Sequence, residues 1–193
     1  MRGRGKMSGM RWQELFADLE GEFAEAERAD HAAEVADRSR AEYARVRLVD
    51  RLRAGLDLDV TVTTAATGRI RGRLESVGAE WLLLVEANGR QVLLPLAHVL
   101  AIGGLSRQAA EPGSEGRVAA RLGLRHALRG LARDRTPVAV VLTSGDVLTG
   151  TIDRVGEDFV ELAEHPVDEP RRAGSVRAVR LLPLSALAAV RSR

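Results

Sequence analysis

Arginine recurs at every fourth position between residues 117 and 133, and a guanidinium group binds carboxylates and phosphates in bidentate fashion. On a helix, residues four apart are neighbours, so these side chains would form one stripe about 24 Å long. Adjacent like charges on a helix are mildly unfavourable, which indicates a partner of opposite charge. The members of this stripe are Arg117, Arg121, Arg125, Arg129 and Arg133.

Three interpretations of the arginine stripe stay open. It is a solvated helix face enriched by the codon usage of a high-GC genome, since nearly every basic residue is arginine and Lys6 is the only lysine. Alternatively, it pairs with the acidic segment 14–42, within the chain or between subunits. Third, it binds nucleic-acid phosphate, as clustered arginines on one helix face can. Nucleic acid is possible but not favoured, because the net charge is +2 and aromatic residues make up 3% of the chain.

A second basic row is predicted on a strand in the stretch RIRGRL. Alternation places Ile70, Gly72 and Leu74 on one face of that strand. The opposite face carries the candidate anion-binding residues Arg69, Arg71 and Arg73. A solvated strand face is the competing interpretation of this row.

The remaining residue types give little support for catalysis. The four histidines are scattered without metal-ligand spacing: His31, His98, His126 and His165. A divalent-ion site near His165, formed with Glu164, Asp168 and Glu169, is the one alternative that the loop composition offers. No cysteine, phosphate-binding loop, nucleophile elbow or pair of carboxylates is visible. The sequence therefore predicts no enzyme, no catalytic residue, no cofactor and no metal.

The amino-terminal segment predicts a helix that docks onto a protein. Residues 1–10 are basic and predicted to be a disordered tail, and residues 11–55 are free of proline and rich in alanine, glutamate and arginine. Acidic residues outnumber arginines in 11–44, so the helix is acidic. Its apolar positions alternate four and three apart and form a candidate partner-docking row. That row consists of Trp12, Phe16, Leu19 and Phe23.

Targeting signals are not apparent in the sequence. The start, MRGRGKMSGM, is basic but is not followed by an apolar stretch, which argues against a signal peptide. The run VLLPLAHVLAIGGL is too short and too interrupted to span a bilayer. We therefore expect a cytoplasmic protein with no membrane partner.

One pattern occurs twice along the chain. The segment RIRGRLESVGAEWLLLVE aligns without gaps with VLTGTIDRVGEDFVELAE, so Gly72 corresponds to Gly150 and Trp81 to Phe159. Further on, LLPL at 93–96 matches LLPL at 181–184. Both copies have the period of two that is typical of strands. The sequence therefore predicts a duplicated unit of four or five short strands.

Short strands in a unit of this size would bury both edges best by closing into a barrel. The predicted fold class is therefore α+β, mainly β: two tandem small barrels, each preceded by a helix, plus the long N-terminal acidic amphipathic helix. The predicted boundaries are a tail at 1–10, a helix at 11–55, a first barrel at 56–105, a linker at 106–116, a basic helix at 117–135 and a second barrel at 136–193.

The order of a helix, a glycine-containing bent strand and a closing strand with Leu-Pro-Leu resembles the Sm-like family, which belongs to the wider group of SH3-like small barrels. The resemblance covers residues 43–102 and 121–192. Members of that family bind single-stranded RNA through an asparagine in the first motif and Arg-Gly in the second. Here leucines follow Glu80, and Leu-Leu-Pro-Leu stands in place of Arg-Gly, so the resemblance does not carry RNA binding over. The whole chain also resembles a protein type of high-GC, actinobacterial-like bacteria.

These observations predict a non-catalytic interaction or scaffold protein. It would bind a protein partner or self-associate through its N-terminal helix. The alternative is a nucleic-acid-binding regulator that uses the arginine stripe and the row Arg69–Arg73.

Overall fold

A computed structural model describes residues 7–111, 123–166 and 176–192. The chain divides into two compact units, one ending at Val46 and the other beginning at Arg47. In the first unit, helix α1 spans Met7–Tyr43. The single helix predicted over 11–55 is wrong, because residues 44–47 are not helical and a separate helix follows them. The predicted tail at 1–10 lies largely outside the described residues.

The second unit contains two helices and ten strands among its described residues. The first half comprises α2 (Leu48–Ala54), β1 (Asp59–Thr64), β2 (Gly68–Val77), β3 (Trp81–Val85), β4 (Gln91–Pro95) and β5 (Val99–Gly103). The second half comprises α3 (Leu124–Arg133), β6 (Pro137–Leu142), β7 (Val147–Val155), β8 (Phe159–Glu164), β9 (Ala178–Pro183) and β10 (Leu187–Ser192). A 3-10 turn precedes β5 at Leu96–His98 and β10 at Leu184–Ala186.

All ten strands belong to one antiparallel sheet in the order β5-β1-β2-β3-β4-β10-β6-β7-β8-β9. The prediction of two small closed barrels, at 56–105 and 136–193, is therefore wrong. Neither half closes on itself, because β4 pairs with β10 of the other half rather than with β5. A unit of about 60 residues has a marginal core. Joining the halves across β4 and β10 satisfies two inner edges and extends the core of both.

The two halves use the same strand registers. Pro95 lies opposite Trp81 in the β3–β4 ladder, and Pro183 lies opposite Phe159 in the β8–β9 ladder. Counting back from each proline, Leu93 of β4 occupies the same position as Leu181 of β9. Strands β5 and β10 correspond in the same way. Ile102 lies opposite Val62 of β1, Val190 lies opposite Val140 of β6, and each ladder has a register shift two to three residues earlier.

The core consists of two apolar clusters that share the junction of β4 and β10. One contains most buried residues of the second half, but also Trp81 and Leu93 from the first. The other contains those of the first half, but also Val141 and Ala189 from the second. Helix α3 contributes Leu124 and Leu128 to one cluster, and α2 contributes Leu52 to the other. Each helix therefore covers one cluster, and the clusters are linked through the junction.

Glycine is required at corresponding places in the two long strands. A Cβ atom on Gly72 would lie 2.7 Å from the carbonyl oxygen of Val85. A Cβ atom on Gly150 would lie even closer to the carbonyl oxygen of Ala163. The backbones of β3 and β8 thus approach β2 and β7 more closely than any side chain permits. The glycines aligned in the sequence are therefore sites of close backbone packing.

Candidate interaction surfaces

Strands β5 and β9 form the two outer edges of the sheet. Among the described residues, β5 pairs with β1 and β9 pairs with β8, so each has one edge outside the ladder. Large apolar side chains are exposed on both: Leu100 is 68% exposed, Val179 60% and Leu181 66%. An exposed apolar strand edge is a template on which another chain can pair. These two edges are therefore surfaces suited to strand addition.

The corresponding strands at the centre of the sheet are covered. Strand β4 corresponds to β9, and β10 corresponds to β5. Strands β4 and β10 pair with each other, with Val190 opposite Leu93. In this junction Leu93 is 4% exposed and Val190 is 2% exposed. Leu181, at the position of Leu93, therefore differs in its surroundings because, among the described strands, β9 has no second neighbour as β4 does.

Helix α3 places part of the arginine stripe on an exposed face. Arg125, Arg129 and Arg133 are exposed, whereas Leu124 and Leu128 on the opposite face are buried against the sheet. The Arg133 Nε lies 3.1 Å from the carboxylate of the neighbouring Asp134. Arg117 and Arg121 lie outside the described residues. The structure thus brings three of the five predicted arginines onto one solvent-facing row.

The basic row on β2 is also exposed, as the alternation predicts. Arg69, Arg71 and Arg73 face solvent, and Ile70 and Leu74 between them are buried. Arg73 lies 3.9 Å from the exposed carboxylate of Asp57, a weak surface pair. Successive side chains on this face lie about 6.7 Å apart along the strand.

The apolar row on α1 also faces solvent. Phe16, Leu19 and Phe23 are exposed, and the helix carries surface ion pairs further along, including Arg38 with Glu34 at 3.1 Å. Trp12 lies in the helix, but its side chain is outside the described residues. Nearly all described side chains of α1 are exposed, and within the row Phe16 is 58% exposed, Leu19 40% and Phe23 71%.

His165 has a structural hydrogen-bonding role. Its ring is 2% exposed, with Nδ1 2.8 Å from the carbonyl oxygen of Pro166 and Nε2 2.8 Å from the hydroxyl of Thr151. A carbonyl can only accept, so Nδ1 donates to Pro166, and Nε2 and the Thr151 hydroxyl share the second hydrogen bond. Asp168 and Glu169 lie outside the described residues. Within the described ranges, no group of three His, Asp or Glu side chains is arranged as metal ligands.

Asp50 forms a buried ionic contact in α2. Its carboxylate is 2% exposed and accepts hydrogen bonds from Arg47 at 2.9 and 3.0 Å and from Arg53 at 3.3 Å. The hydrogen bond from Arg47 lowers the pKa of this carboxyl, against the opposing effect of burial. The backbone oxygen of Asp50 also accepts from the amide of Ala110. Asp50 therefore links α2 to the segment that follows β5.

A groove of about 930 Å³ lies where the two 3-10 turns approach the start of α3. Its polar lining includes Glu80, Asp158, Arg125 and His98. Glu80 accepts a long hydrogen bond, 3.5 Å, from the amide of Leu124. The groove therefore combines carboxylates with an arginine, and of these four polar side chains His98 is half-buried and the other three are exposed.

The sequence interpretation missed the outer edges and the groove. A local signal for the edge did exist, because Val179 and Leu181 alternate in β9 at positions that face away from the core. The sequence pattern instead predicts both residues in a closed barrel at 136–193, which would leave no strand edge exposed. The groove depends on turns that are distant in sequence, so no local pattern indicates it.

No protein-family model matches this chain, and comparison with curated proteins gives no match. Within the described residues, none of the helices has the length and apolar character needed to cross a membrane. The surfaces above therefore carry the functional argument without support from a relative.

Proposed function

We propose that this chain is a non-catalytic interaction protein, a scaffold that binds other protein chains in the cytoplasm through the open edges of its sheet. The observation that carries this proposal is the exposure of Leu100, Val179 and Leu181 on the two outer strands. Polar and charged residues usually occupy such positions in a protein that stays alone. The apolar edges therefore favour a protein partner.

The energy available at these edges supports binding. Fully burying one valine or leucine side chain contributes about 1.5–3 kcal/mol. A partner strand would also bond to the backbone groups that β5 and β9 leave outside the ladder. The side chains and the backbone therefore favour the same mode of binding, in which a strand is added to the sheet.

The N-terminal helix provides a second, separate contact in this proposal. Phe16, Leu19 and Phe23 are exposed along α1, and together they form an apolar row that self-association or a partner helix would cover. Replacing Phe16 and Phe23 by glutamate should weaken association if the row is used. An unchanged assembly mass in sedimentation would remove the helix from the proposal.

The repeated order of elements supports duplication of one five-stranded unit. The matching registers of the β3–β4 and β8–β9 ladders are the observation behind it. The likeness to the Sm-like family rests on sequence motifs alone and adds no activity. Duplication also explains why a buried central strand has an exposed counterpart at the edge.

Nucleic-acid binding is the second candidate, and the exposed arginines of β2 and α3 favour it. Within the described residues, Arg69 and Arg71 form no salt bridge, and like charges stand about 6.7 Å apart along the strand. If this row binds phosphate, affinity should fall steeply with salt, because each neutralised phosphate releases a counterion. We expect binding no tighter than about 10⁻⁴–10⁻⁶ M at physiological salt. Nanomolar affinity that is lost in R69Q/R71Q would replace the scaffold proposal.

Edge substitutions in the native cell test the scaffold proposal. Tagged wild type and the variants L100K, L181K and V147K are sedimented from lysate with and without nuclease treatment. Val147 is the matched control, since it is an exposed apolar residue on β7, an inner strand. We expect the wild type and V147K in larger complexes and the two edge variants in smaller ones. Equal sedimentation of all four would contradict the proposal, and complexes that dissolve with nuclease would favour nucleic acid.

A further inference from the structure

We propose that the partner at the outer edges is a second copy of this chain, joined head to tail, with β9 of one copy antiparallel to β5 of the next. This inference rests on the proposed interaction function and names its partner. The junction between β4 and β10 inside the sheet is the template for the contact.

The correspondence of strands defines which surfaces meet. Strand β10, which pairs with β4 at the junction, corresponds to β5. Strand β10 pairs with β6, the first strand of its half, as β5 pairs with β1. Strand β4 corresponds to β9, because Pro95 of β4 lies opposite Trp81 as Pro183 of β9 lies opposite Phe159. Within the described residues, one copy therefore displays β5 and β9 with one edge each outside the ladder, and these edges are the two sides of a contact that the chain already makes internally.

The internal register predicts the external one. Val190 lies opposite Leu93, and Arg191 lies opposite Val92. The corresponding pairs between copies are Ile102 with Leu181 and Gly103 with Arg180. Leu181, the most exposed of the β9 side chains for which a value is given, then takes the covered position that Leu93 has at the junction.

Features that often protect a strand edge do not prevent this pairing. A bulge interrupts β5 at Leu100, and β9 ends in Pro183. The internal junction carries the same features, with a register shift next to Ala188 in β10 and Pro95 at the end of β4. The junction forms in spite of them. The difference between the two contacts is that Leu100 stands where β10 has the smaller Ala188, which adds apolar area to the external contact.

The contact is directional, because it joins two different surfaces. A heterologous contact of this kind repeats from copy to copy and produces a closed ring or an open filament. A symmetric pairing of β9 with β9, or β5 with β5, would stop at a dimer. The directional contact and the symmetric ones therefore make opposite predictions for variants that are blocked at one edge.

Complementary variants test the head-to-tail contact with the purified full-length chain. L100K blocks β5 and leaves β9 intact, whereas L181K blocks β9 and leaves β5 intact. Binding is measured between immobilised and soluble protein for L100K with itself, L181K with itself and L100K with L181K. Any association through α1 contributes equally to the three pairs, so a difference between them reports on the strand edges.

We expect the mixed pair to bind at least about tenfold more tightly than either variant binds itself, the usual effect of losing a central contact. V147K should bind itself as wild type does. Equal affinity in all three pairs would overturn the proposal, as would self-association that is lost in one variant only, which indicates a symmetric contact. If the purified pairs bind equally but the same variants no longer bind a different protein in cells, the interaction function stands. The second copy is then excluded as the partner.

Discussion

The junction between β4 and β10 and the outer edges at β9 and β5 are made of corresponding strands in different surroundings. Leu93 at the junction is buried and Leu181 at the edge is exposed, although both are leucines two residues before a proline. At these two corresponding positions, burial is therefore decided by the neighbouring strand and not by residue type. Of the corresponding strand edges, one pair meets inside the chain, and in the proposed function the other pair is left for another molecule.

The largest expected effect separates these two leucines. L93A removes a buried side chain at the junction and should lower the free energy of unfolding by about 2–5 kcal/mol. L181A removes an exposed one and should change it by less than about 0.5 kcal/mol in dilute protein. Urea unfolding of both variants below the association range measures the difference. If both variants lose a similar free energy of unfolding, the neighbouring strand does not set the contribution of these two leucines.

The glycine pair sharpens the comparison between halves. G150A and G72A both force a Cβ against a carbonyl oxygen of the neighbouring strand, and Gly150 has the shorter approach. Overpacking of this kind typically costs about 1–3 kcal/mol, so G150A should be the more destabilising of the two. Gly130 is the control, since it lies inside α3 with no atom near its Cβ position. G130A should raise stability by about 0.5–1 kcal/mol in the same thermal scans, because alanine favours the helix. A neutral G150A would refute the close-packing account.

Acid should destabilise the fold through the buried carboxyl group of Asp50. In α2, the lowered pKa of Asp50 means that its ionised form stabilises the fold. This contribution is fully present above about pH 5 and is lost as pH falls through the folded-state pKa, below the ordinary value of 3.8. D50N should cost about 1–3 kcal/mol at neutral pH and should flatten the loss of stability on acidification. Urea midpoints of wild type and D50N between neutral pH and pH 3 test this. An unchanged slope would show that the pair with Arg47 does not contribute.

The local structure of the strands could be predicted from the sequence. Asn-Gly is a residue pair that favours a hairpin turn, and at Asn88-Gly89 the Gly89 amide donates to the Glu86 carbonyl. The alternation of arginine with buried residues on β2 is confirmed as well. These features depend on neighbours in the chain, which a sequence pattern reports directly.

The arrangement of the sheet could not be predicted in the same way. The pairing of β4 with β10 joins residues about half the chain apart. The sequence pattern of both strands is equally compatible with the edge strands of a closed barrel. The end of α1 was also missed, because residues 44–47 contain no glycine or proline to mark it. The exposure of Leu181 follows from the strand order, so the candidate surface could not be recognised before that order was known.

Amide hydrogen exchange over a range of protein concentrations tests the central claim most directly. The amides of β4 and β10 should be protected at every concentration, because their pairing lies inside one chain. The amides of β5 and β9 that make no bond to β1 or β8 should exchange rapidly in dilute protein and become protected together as concentration rises. Rapid exchange at both outer strands at all concentrations, or protection of one without the other, would contradict the account.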